Sequence, residues 1–204
     1  MYMMGFQRLV KRSFDFLGAC AALIALAIPF FIIAILIRIG SRGPVFFVQE
    51  RVGKNGKTFQ MLKFRTMVEN AVNMGKGIEV EQNDTRITRV GRMLRRFGID
   101  ELPQILHILK GEMSFVGPRP GLPHQAAQYS ELERKRLLVK PGIANMPMLK
   151  GWNTLSWKER IRWDIWYIEH WSFLLDLKIL FFTTIIVLSG KGQYGAKGVV
   201  EDYK

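Results

Sequence analysis

Cysteine and histidine are scarce in this sequence, which limits the kinds of site that it can build. The one cysteine, Cys20, lies in the most apolar stretch, so no internal disulfide can form and the residue is interpreted as a small packing residue. His107, His124 and His170 show no metal-ligand spacing and are predicted to be surface or hydrogen-bonded polar positions. The sequence therefore indicates neither a disulfide framework nor a zinc site.

Acidic residues are also few, since 17 Asp and Glu stand against 30 Lys and Arg and leave a formal net charge of +13. Such a charge predicts a negatively charged partner, which could be nucleic acid, anionic lipid or a phosphorylated substrate. A chain of 204 residues, 49% of them hydrophobic, is long enough for one domain with a core and short for two.

The longest apolar run, residues 16–37, covers roughly 22 residues and decides between those partners. A soluble nucleic-acid binder does not need such a run. The run is also too long for the core of a cleaved signal, and it is followed by Arg38 and Arg42 rather than by a small-residue cleavage site. We therefore predict a retained membrane anchor.

Two features favour an anchor that enters and leaves the membrane by the same face. Pro29 lies near the middle of the run and favours a bend, although membrane helices tolerate proline. Basic residues flank both ends, and a re-entrant helix keeps both groups on the cytoplasmic side. The alternative is a straight helix, which would rise about 33 Å and could span the hydrocarbon core. The flanking residues are Arg8, Lys11 and Arg12 before the run and Arg38, Arg42, Arg51, Lys54 and Lys57 after it.

Residues 45–67 are predicted to form a β-hairpin, because apolar and alternating segments flank a Gly-Lys-Asn-Gly-Lys turn at residues 53–57. Side chains alternate along a strand, so Lys63 and Arg65 are expected on the same face of the second strand. A solvated basic edge is the alternative to a functional cation pair. Residues 70–85 are polar and are predicted to form a loop.

Further basic residues lie on both sides of an acidic pair. Arg89, Arg92 and Arg96 fall at helical spacing and predict a cationic stripe on one helix face. Arg119 lies between two prolines that restrict the backbone, which suits either an ordinary turn or a positioned cation.

Asp100 and Glu101 form the acidic pair, directly before an apolar helical run. One interpretation is structural, with Asp100 as the helix N-cap and Pro103 in the first turn. The other is chemical, because a carboxylate pair that follows a run of arginines can attack or hold phosphate and can bind a metal ion. The two roles can coexist.

The C-terminal third contains all five tryptophans of the chain, mixed with basic residues. This mixture is typical of helices that lie in the lipid headgroup layer, and core packing is the alternative. The apolar residues 179–188 are too few to span a bilayer. The tryptophans are Trp152, Trp157, Trp163, Trp166 and Trp171.

Taken together, these motifs resemble those of the small monotopic phosphoglycosyl transferases, the bacterial sugar transferase family that begins lipid-linked glycan assembly. The resemblance covers nearly the whole chain, from about residue 8 to about residue 190. Larger members carry extra membrane helices and a further domain, so this chain is expected to be the minimal form. The motifs are Lys11-Arg12-Ser13-Phe14-Asp15, Gln49-Glu50-Arg51-Val52-Gly53, Lys63-Phe64-Arg65-Thr66-Met67, Thr85-Arg86-Ile87-Thr88, Asp100-Glu101-Leu102-Pro103-Gln104, Leu109-Lys110-Gly111-Glu112-Met113-Ser114, Gly117-Pro118-Arg119-Pro120, Lys140-Pro141-Gly142-Ile143, Ser156-Trp157, Asp164-Ile165-Trp166-Tyr167 and Leu175-Asp176-Leu177-Lys178.

The resemblance implies an α+β fold that is mostly helical, with a proline-bent re-entrant N-terminal helix, interfacial amphipathic helices and a small β-hairpin. It divides the chain into a membrane helix at residues 1–40, a catalytic domain that faces the cytoplasm at residues 41–190 and a tail at residues 191–204. The expected location is the bacterial inner membrane, where the protein is monotopic and contacts membrane lipids. A nucleic acid is not expected as a partner.

The resemblance also implies a reaction and a site. Asp100 would attack the β-phosphorus of a nucleoside diphosphate sugar, with a UDP-sugar as the family habit, and would form a phosphosugar ester. A polyprenyl phosphate, undecaprenyl phosphate in bacteria, would then take up the phosphosugar. Glu101 would help to bind Mg²⁺. Lys63, Arg65, Arg95 and Arg119 are the predicted substrate-binding cations.

The sequence departs from the family pattern at three places. Ala144-Asn145-Met146 replaces Thr-Gly-Trp after the Pro-Gly-Ile motif, and Trp152 replaces the arginine of a Gly-Arg-Asn motif, with Lys150 as a candidate substitute. Ile28 replaces a serine that is frequent before Pro29. Two alternatives remain open at this point: a non-catalytic, membrane-anchored basic scaffold, and a phosphotransferase of the same fold with another acceptor.

Overall fold

We analysed a computed structural model of the chain, which describes residues 5–74 and 84–189. Most of the predicted loop at residues 70–85 lies outside these ranges, and its described part includes a short 3₁₀ turn at Ala71–Asn73. The predicted C-terminal tail, residues 191–204, also lies outside the described residues.

The described residues form a mostly helical α+β fold, which confirms the predicted class. Two small two-stranded sheets accompany the helices, one antiparallel and one parallel. The α-helices are α1 (Gly5–Gly40), α2 (Arg89–Arg96), α3 (Ile105–Lys110), α4 (Pro123–Ala127), α5 (Glu131–Arg134), α6 (Met146–Lys150), α7 (Trp157–Glu169) and α8 (Phe173–Ser189). The strands are β1 (Phe46–Val52), β2 (Thr58–Phe64), β3 (Ser114–Val116) and β4 (Gly142–Ala144), and the longest 3₁₀ helix is Ile99–Gln104.

The predicted hairpin is confirmed, because β1 and β2 pair antiparallel from Phe46 opposite Phe64 to Val52 opposite Thr58. Its turn adopts left-handed backbone at Asn55 (φ 58°) and Gly56 (φ 77°). Asn and Gly are the residues that tolerate this conformation best, which explains why a Lys-Asn-Gly sequence closes the hairpin.

The N-terminal helix α1 is attached to the rest of the chain through polar contacts near its start. The Lys11 Nζ donates to Asp176 Oδ2 on α8 at 2.5 Å, and the Arg12 guanidinium donates to carbonyls at the end of α3. The Asp15 carboxylate accepts from Ser114 Oγ and Phe115 N, each at 3.0 Å. The Lys-Arg-Ser-Phe-Asp motif therefore fixes α1 to three separate elements.

The second half of α1 is attached by apolar packing. Ile37 is buried against Phe64 of β2 and Leu94 of α2, with Phe30 and Ile33 packed beside them. Because contacts occur near both ends of α1, the helix runs along the rest of the fold rather than away from it. The division into a membrane helix at residues 1–40 and a catalytic domain at residues 41–190 stays a prediction.

The other face of α1 is apolar and exposed. Among the helices in the described ranges, α1 is the one that is long and apolar enough to cross a membrane. The helix is continuous through Pro29, and the re-entrant bend at that residue stays a prediction. Hydrocarbon exposed in this amount on a helix indicates contact with lipid. The exposed side chains are Phe6, Leu9, Phe16, Leu17, Ile24, Ile28, Phe31, Ile32, Ile35, Leu36 and Ile39.

The C-terminal helices show features of both interpretations of the tryptophan-rich segment, core packing and contact with lipid headgroups. Trp163, Trp166 and Trp171 are half-buried and pack against a core of β3, β4, α7 and α8 residues, as core packing requires. Helix α8 is longer than the apolar segment at residues 179–188 suggests, and it exposes large apolar side chains such as Leu174 and Phe181. The placement of these helices in the headgroup layer stays a prediction.

Candidate active site

The site lies in a cleft of about 1160 Å³, with the hairpin, the 3₁₀ helix Ile99–Gln104, α6, α7 and α8 among its walls. The predicted residues Lys63, Arg65, Arg95, Asp100, Glu101 and Arg119 all line this cleft. These residues are far apart in the sequence, and the packing of the hairpin against the 3₁₀ helix brings members of the group together in space.

The acidic pair occupies the first turn of that 3₁₀ helix. The interpretation of Asp100 as N-cap is wrong, because Gly98 takes the cap position with left-handed backbone (φ 60°) and α3 starts only at Ile105. A non-glycine residue is strained in this conformation, so glycine at position 98 lets the chain turn before the pair. Asp100 is therefore placed at the cleft without a capping role.

Glu101 is held between two cations. Its Oε1 accepts from Lys63 Nζ at 2.8 Å and from Arg119 Nη2 at 2.8 Å. Burial alone would raise the pKa of Glu101, but Arg119 and Lys63 hold it well below its usual range. Glu101 is thus a fixed anion that joins the hairpin to the Gly117-Pro118-Arg119-Pro120 segment.

The side chain of Asp100 makes different contacts from that of Glu101. Within residues 5–74 and 84–189 its carboxylate makes no hydrogen bond or ion pair, although Lys63, Arg95 and Arg119 act on it electrostatically. Burial raises the pKa of Asp100, and Lys63 is the cation that most opposes this effect. Burial also lowers the pKa of Lys63 itself, against the attraction of Glu101. A carboxylate whose oxygens are unengaged suits a nucleophile.

The two remaining predicted cations, Arg95 and Arg65, donate hydrogen bonds to groups outside the acidic pair. Arg95 Nε donates to Thr66 Oγ1 at 2.8 Å. Arg65 is buried, and its Nη atoms donate to the carbonyl oxygens of Arg42 and Ser41 at 2.7 and 2.8 Å. β2 ends at Phe64, and the expectation that Lys63 and Arg65 lie on the same face stays a prediction. Substrate binding by Arg65 and Arg95 stays a prediction.

A second ion pair in the cleft was not predicted. The Arg136 Nη2 donates to Asp164 Oδ2 at 2.6 Å and to the carbonyl oxygen of Arg119 at 2.9 Å. Asp164 is only 2% exposed, and burial raises its pKa to about 6 despite the neighbouring Arg136. Because Arg136 holds the backbone of Arg119, this pair positions the cation that contacts Glu101.

The sequence carries a signal for this pair. Ile161, Ile165 and Ile168 form an apolar stripe at helical spacing, and Asp164 falls within it. A carboxylate on a buried helix face requires a charged or hydrogen-bonding partner. The pattern indicates that a partner exists but does not identify Arg136, which lies 28 residues away.

The departure at Trp152 lies at the cleft. Trp152 lines it with a left-handed backbone (φ 52°). Lys150, the candidate substitute for the missing family arginine, instead lies outside the cleft lining, with its Nζ 4.6 Å from the centre of the Trp163 ring. The structure therefore does not support a substitution of the arginine by Lys150.

Comparison with known proteins identifies the family. The family described as bacterial sugar transferase matches residues 6–190. The chain belongs to this family. It is a transferase, which decides against the non-catalytic scaffold.

Two curated relatives illustrate the match. An uncharacterized sugar transferase of Bacillus subtilis, EpsL, is 42% identical over 189 residues, which cover 90% of each chain. A UDP-glucose:undecaprenyl-phosphate glucose-1-phosphate transferase of Klebsiella pneumoniae is 39% identical over 198 residues. The matched region covers 93% of the present chain and 42% of that relative. The present chain thus matches nearly the whole of the first relative and less than half of the second.

Replacing Lys63 by methionine removes the cation that most opposes the effect of burial on Asp100. We expect the pKa of Asp100 to rise, so that as the pH falls its carboxylate becomes protonated at a higher pH than in the unmodified enzyme. The acid limb of the transfer rate should move up by about one pH unit or more. The measurement is a pH profile of the Lys63→Met transferase.

The exposed hairpin residue Lys57 provides the control, because Lys57→Met removes the same charge outside the cleft lining. Its profile should match the unmodified enzyme. An acid limb that does not move in Lys63→Met would contradict the electrostatic role of this lysine.

Proposed function

We propose that this transferase moves a sugar 1-phosphate from a UDP-sugar to undecaprenyl phosphate through a covalent intermediate on Asp100. The relatives support the two substrate classes, since their names specify UDP-glucose and undecaprenyl phosphate in Klebsiella pneumoniae and an undecaprenyl-phosphate galactose phosphotransferase in Salmonella typhimurium. The observation that carries the mechanism is the asymmetry of the acidic pair, in which Glu101 is ion-paired twice and Asp100 has no partner among the described residues.

The reaction has two displacements at one phosphorus atom. An Asp100 oxygen forms a bond to the β-phosphorus of the donor while the bond from that phosphorus to the bridging oxygen breaks, and UMP leaves. A phosphate oxygen of the polyprenyl phosphate then attacks the same phosphorus and the bond to Asp100 breaks. The products are polyprenyl diphosphate sugar and the original carboxylate, so the enzyme alternates between two forms.

The cations of the cleft address the main obstacle to this chemistry, which is the approach of anions to one another. Two unit charges 4 Å apart repel by roughly 4 kcal/mol at an effective dielectric constant of 20. Lys63 and Arg119 lie beside the acidic pair, and an arginine can bind two phosphate oxygens at once. Arg119 is 44% exposed on its side chain, so its guanidinium can contact both Glu101 and a bound diphosphate.

We also propose that Glu101 helps to hold Mg²⁺, and the groups present fit this ion. Mg²⁺ is usually bound by one or two carboxylates together with phosphate oxygens and water. Asp100 and Glu101 are adjacent, and in the described part of the chain no cluster of three or more acidic, histidine or cysteine side chains could bind a metal by itself. The phosphates of the donor would therefore complete the ligand set. Bound there, the ion would supply positive charge to the diphosphate.

The substitution Asp100→Asn tests the intermediate. The amide cannot act as the nucleophile, so we expect loss of UMP release and of product by a factor of about 10³ or more. With donor alone, the unmodified enzyme should gain the mass of one phosphosugar, located on Asp100 by peptide mass spectrometry. Exposed Glu131 lies on α5 outside the cleft lining, and Glu131→Gln serves as the control that keeps full activity.

Turnover at the normal rate in Asp100→Asn would show that another group is the nucleophile. An adduct that forms at a different side chain would lead to the same conclusion while leaving the transfer reaction intact.

Removal of Mg²⁺ tests the metal assignment. A chelator should abolish transfer, and added Mg²⁺ should restore it. In Glu101→Gln the Mg²⁺ concentration for half-maximal rate should rise about tenfold or more, because an ionised ligand becomes a neutral amide. An unchanged Mg²⁺ requirement in this variant, measured beside Glu131→Gln, would remove Glu101 from the ligand set.

We further propose that both ends of α1 lie on the cytoplasmic side of the bacterial inner membrane. The support is the attachment of α1 near both ends to the rest of the fold, to α8 and α3 through Lys11 and Arg12 and to β2 and α2 through Ile37. A helix that crossed the bilayer would separate these two attachment points by the hydrocarbon core, about 30 Å thick.

Cysteine labelling measures this topology. In a Cys20→Ser background, Gly5→Cys and Arg42→Cys place single thiols on exposed residues at the two ends of α1. In sealed inverted membrane vesicles both thiols should react with an impermeant maleimide, whereas in intact spheroplasts neither should. Labelling of the two positions from opposite sides would show that α1 spans the membrane.

A further inference from the structure

One face of α8 lines the cleft and has no role in the reaction steps described above. The residues Leu180, Thr183, Thr184, Val187 and Leu188 all contribute to the cleft wall. They recur at intervals of three and four, so they form a single stripe along the helix, here called the α8 stripe. The stripe extends over more than two turns.

The surface that the α8 stripe offers to the cleft is hydrocarbon. Thr184 Oγ1 donates to the carbonyl oxygen of Leu180 within the helix at 2.9 Å, and its methyl group remains. The Thr183 hydroxyl oxygen is buried and has no partner among the described residues, so this side chain contributes carbon to the cleft surface. Helix α6, which packs against α8, adds Pro147 and Met148 to the lining.

The α8 stripe lies next to the acidic pair. Gly98 precedes Asp100 by two residues, and a Cβ atom on Gly98 would lie 3.1 Å from Val187 Cγ1. The left-handed backbone at Gly98 and the lack of a side chain allow this approach. A molecule that lies along the α8 stripe can therefore reach the carboxylate of Asp100 at one end.

The α8 stripe borders exposed apolar surface along its length. Leu188 belongs to the stripe and is 66% exposed, and Phe181 and Ile185 are exposed on the neighbouring face of the helix. Together with α1, this surface is the part of the fold expected to contact lipid. The cleft thus holds the cations Lys63 and Arg119 together with a hydrocarbon wall that continues into the exposed apolar surface of α8.

We propose that the α8 stripe binds the first isoprene units of the polyprenyl phosphate acceptor and directs its phosphate to Asp100. This inference rests on the proposed function. The acceptor carries an anionic head on a hydrocarbon chain, which matches the cations of the cleft and the hydrocarbon wall that lines it with them. A nucleotide sugar is polar along its whole length and gains nothing from a hydrocarbon wall that leads to the membrane.

The test separates the two half-reactions in detergent micelles. Leu180→Ser and Val187→Ser remove hydrocarbon from the stripe, and Ile185→Ser makes a comparable change on the exposed face of the same helix outside the cleft lining. We expect the KM for undecaprenyl phosphate to rise about tenfold in the two stripe variants. UMP release from donor alone should be unchanged in all three, which also shows that the variants are folded.

A second measurement does not depend on turnover. An isoprenoid phosphate with a photoreactive group on its first isoprene units should cross-link to residues 180–188, and excess undecaprenyl phosphate should compete. In the Asp100→Asn variant this labelling should persist, since binding does not need the nucleophile.

Three outcomes distinguish the possibilities. A stripe variant that slows UMP release from donor alone and keeps the acceptor KM would assign the stripe to the donor and overturn the inference. Cross-links confined to α1 would overturn it as well. If the unmodified enzyme forms no adduct on Asp100 but the cross-links map to the α8 stripe, the proposed mechanism fails while the acceptor groove stands.

Discussion

The contact on which the site depends is the double ion pair of Glu101 with Lys63 and Arg119. It joins a strand of the hairpin, a 3₁₀ helix and a proline-flanked turn whose residues are far apart in the sequence. A half-buried carboxylate of this kind would be costly without its cations, and the cations would repel one another without it. With Glu101 in place, two positive groups converge beside Asp100 while that carboxylate keeps its own oxygens unengaged. The chemistry proposed for Asp100 and the order around Glu101 thus both depend on this one arrangement.

Local features of the fold could be predicted from the sequence because their causes are local. The hairpin follows from alternation on both sides of an Asn-Gly turn, and the anchor helix follows from an unbroken apolar run. Asp100 and Glu101 could be singled out because a carboxylate pair after a run of arginines has few other uses. The N-cap interpretation failed for an equally local reason, since Gly98 adopts left-handed backbone and takes the cap position itself.

The remaining features depend on partners that no local pattern identifies. Lys11 and Asp176 are 165 positions apart, and each alone resembles a surface charge. Asp164 can be recognised as buried from its place in an apolar stripe, yet only the fold shows that Arg136 pairs with it and also holds Arg119. Strand alternation likewise cannot show that β2 ends before Arg65. Such contacts are set by how elements pack, and packing is a property of the whole chain.

The same contacts connect the membrane helix with the chemistry. Lys11 attaches α1 to α8, and Arg12 attaches it to the end of α3, which directly follows the 3₁₀ helix of the acidic pair. Both attachments are polar and directional, so the depth of α1 in the lipid also sets the depth of Asp100 and of the α8 stripe. An enzyme that joins a water-soluble donor to a lipid acceptor must hold its nucleophile near the headgroup layer, where both can arrive. In the proposed mechanism the Lys-Arg-Ser-Phe-Asp motif therefore acts at a distance from the reacting atoms, because it sets the depth in the interface at which donor and acceptor meet.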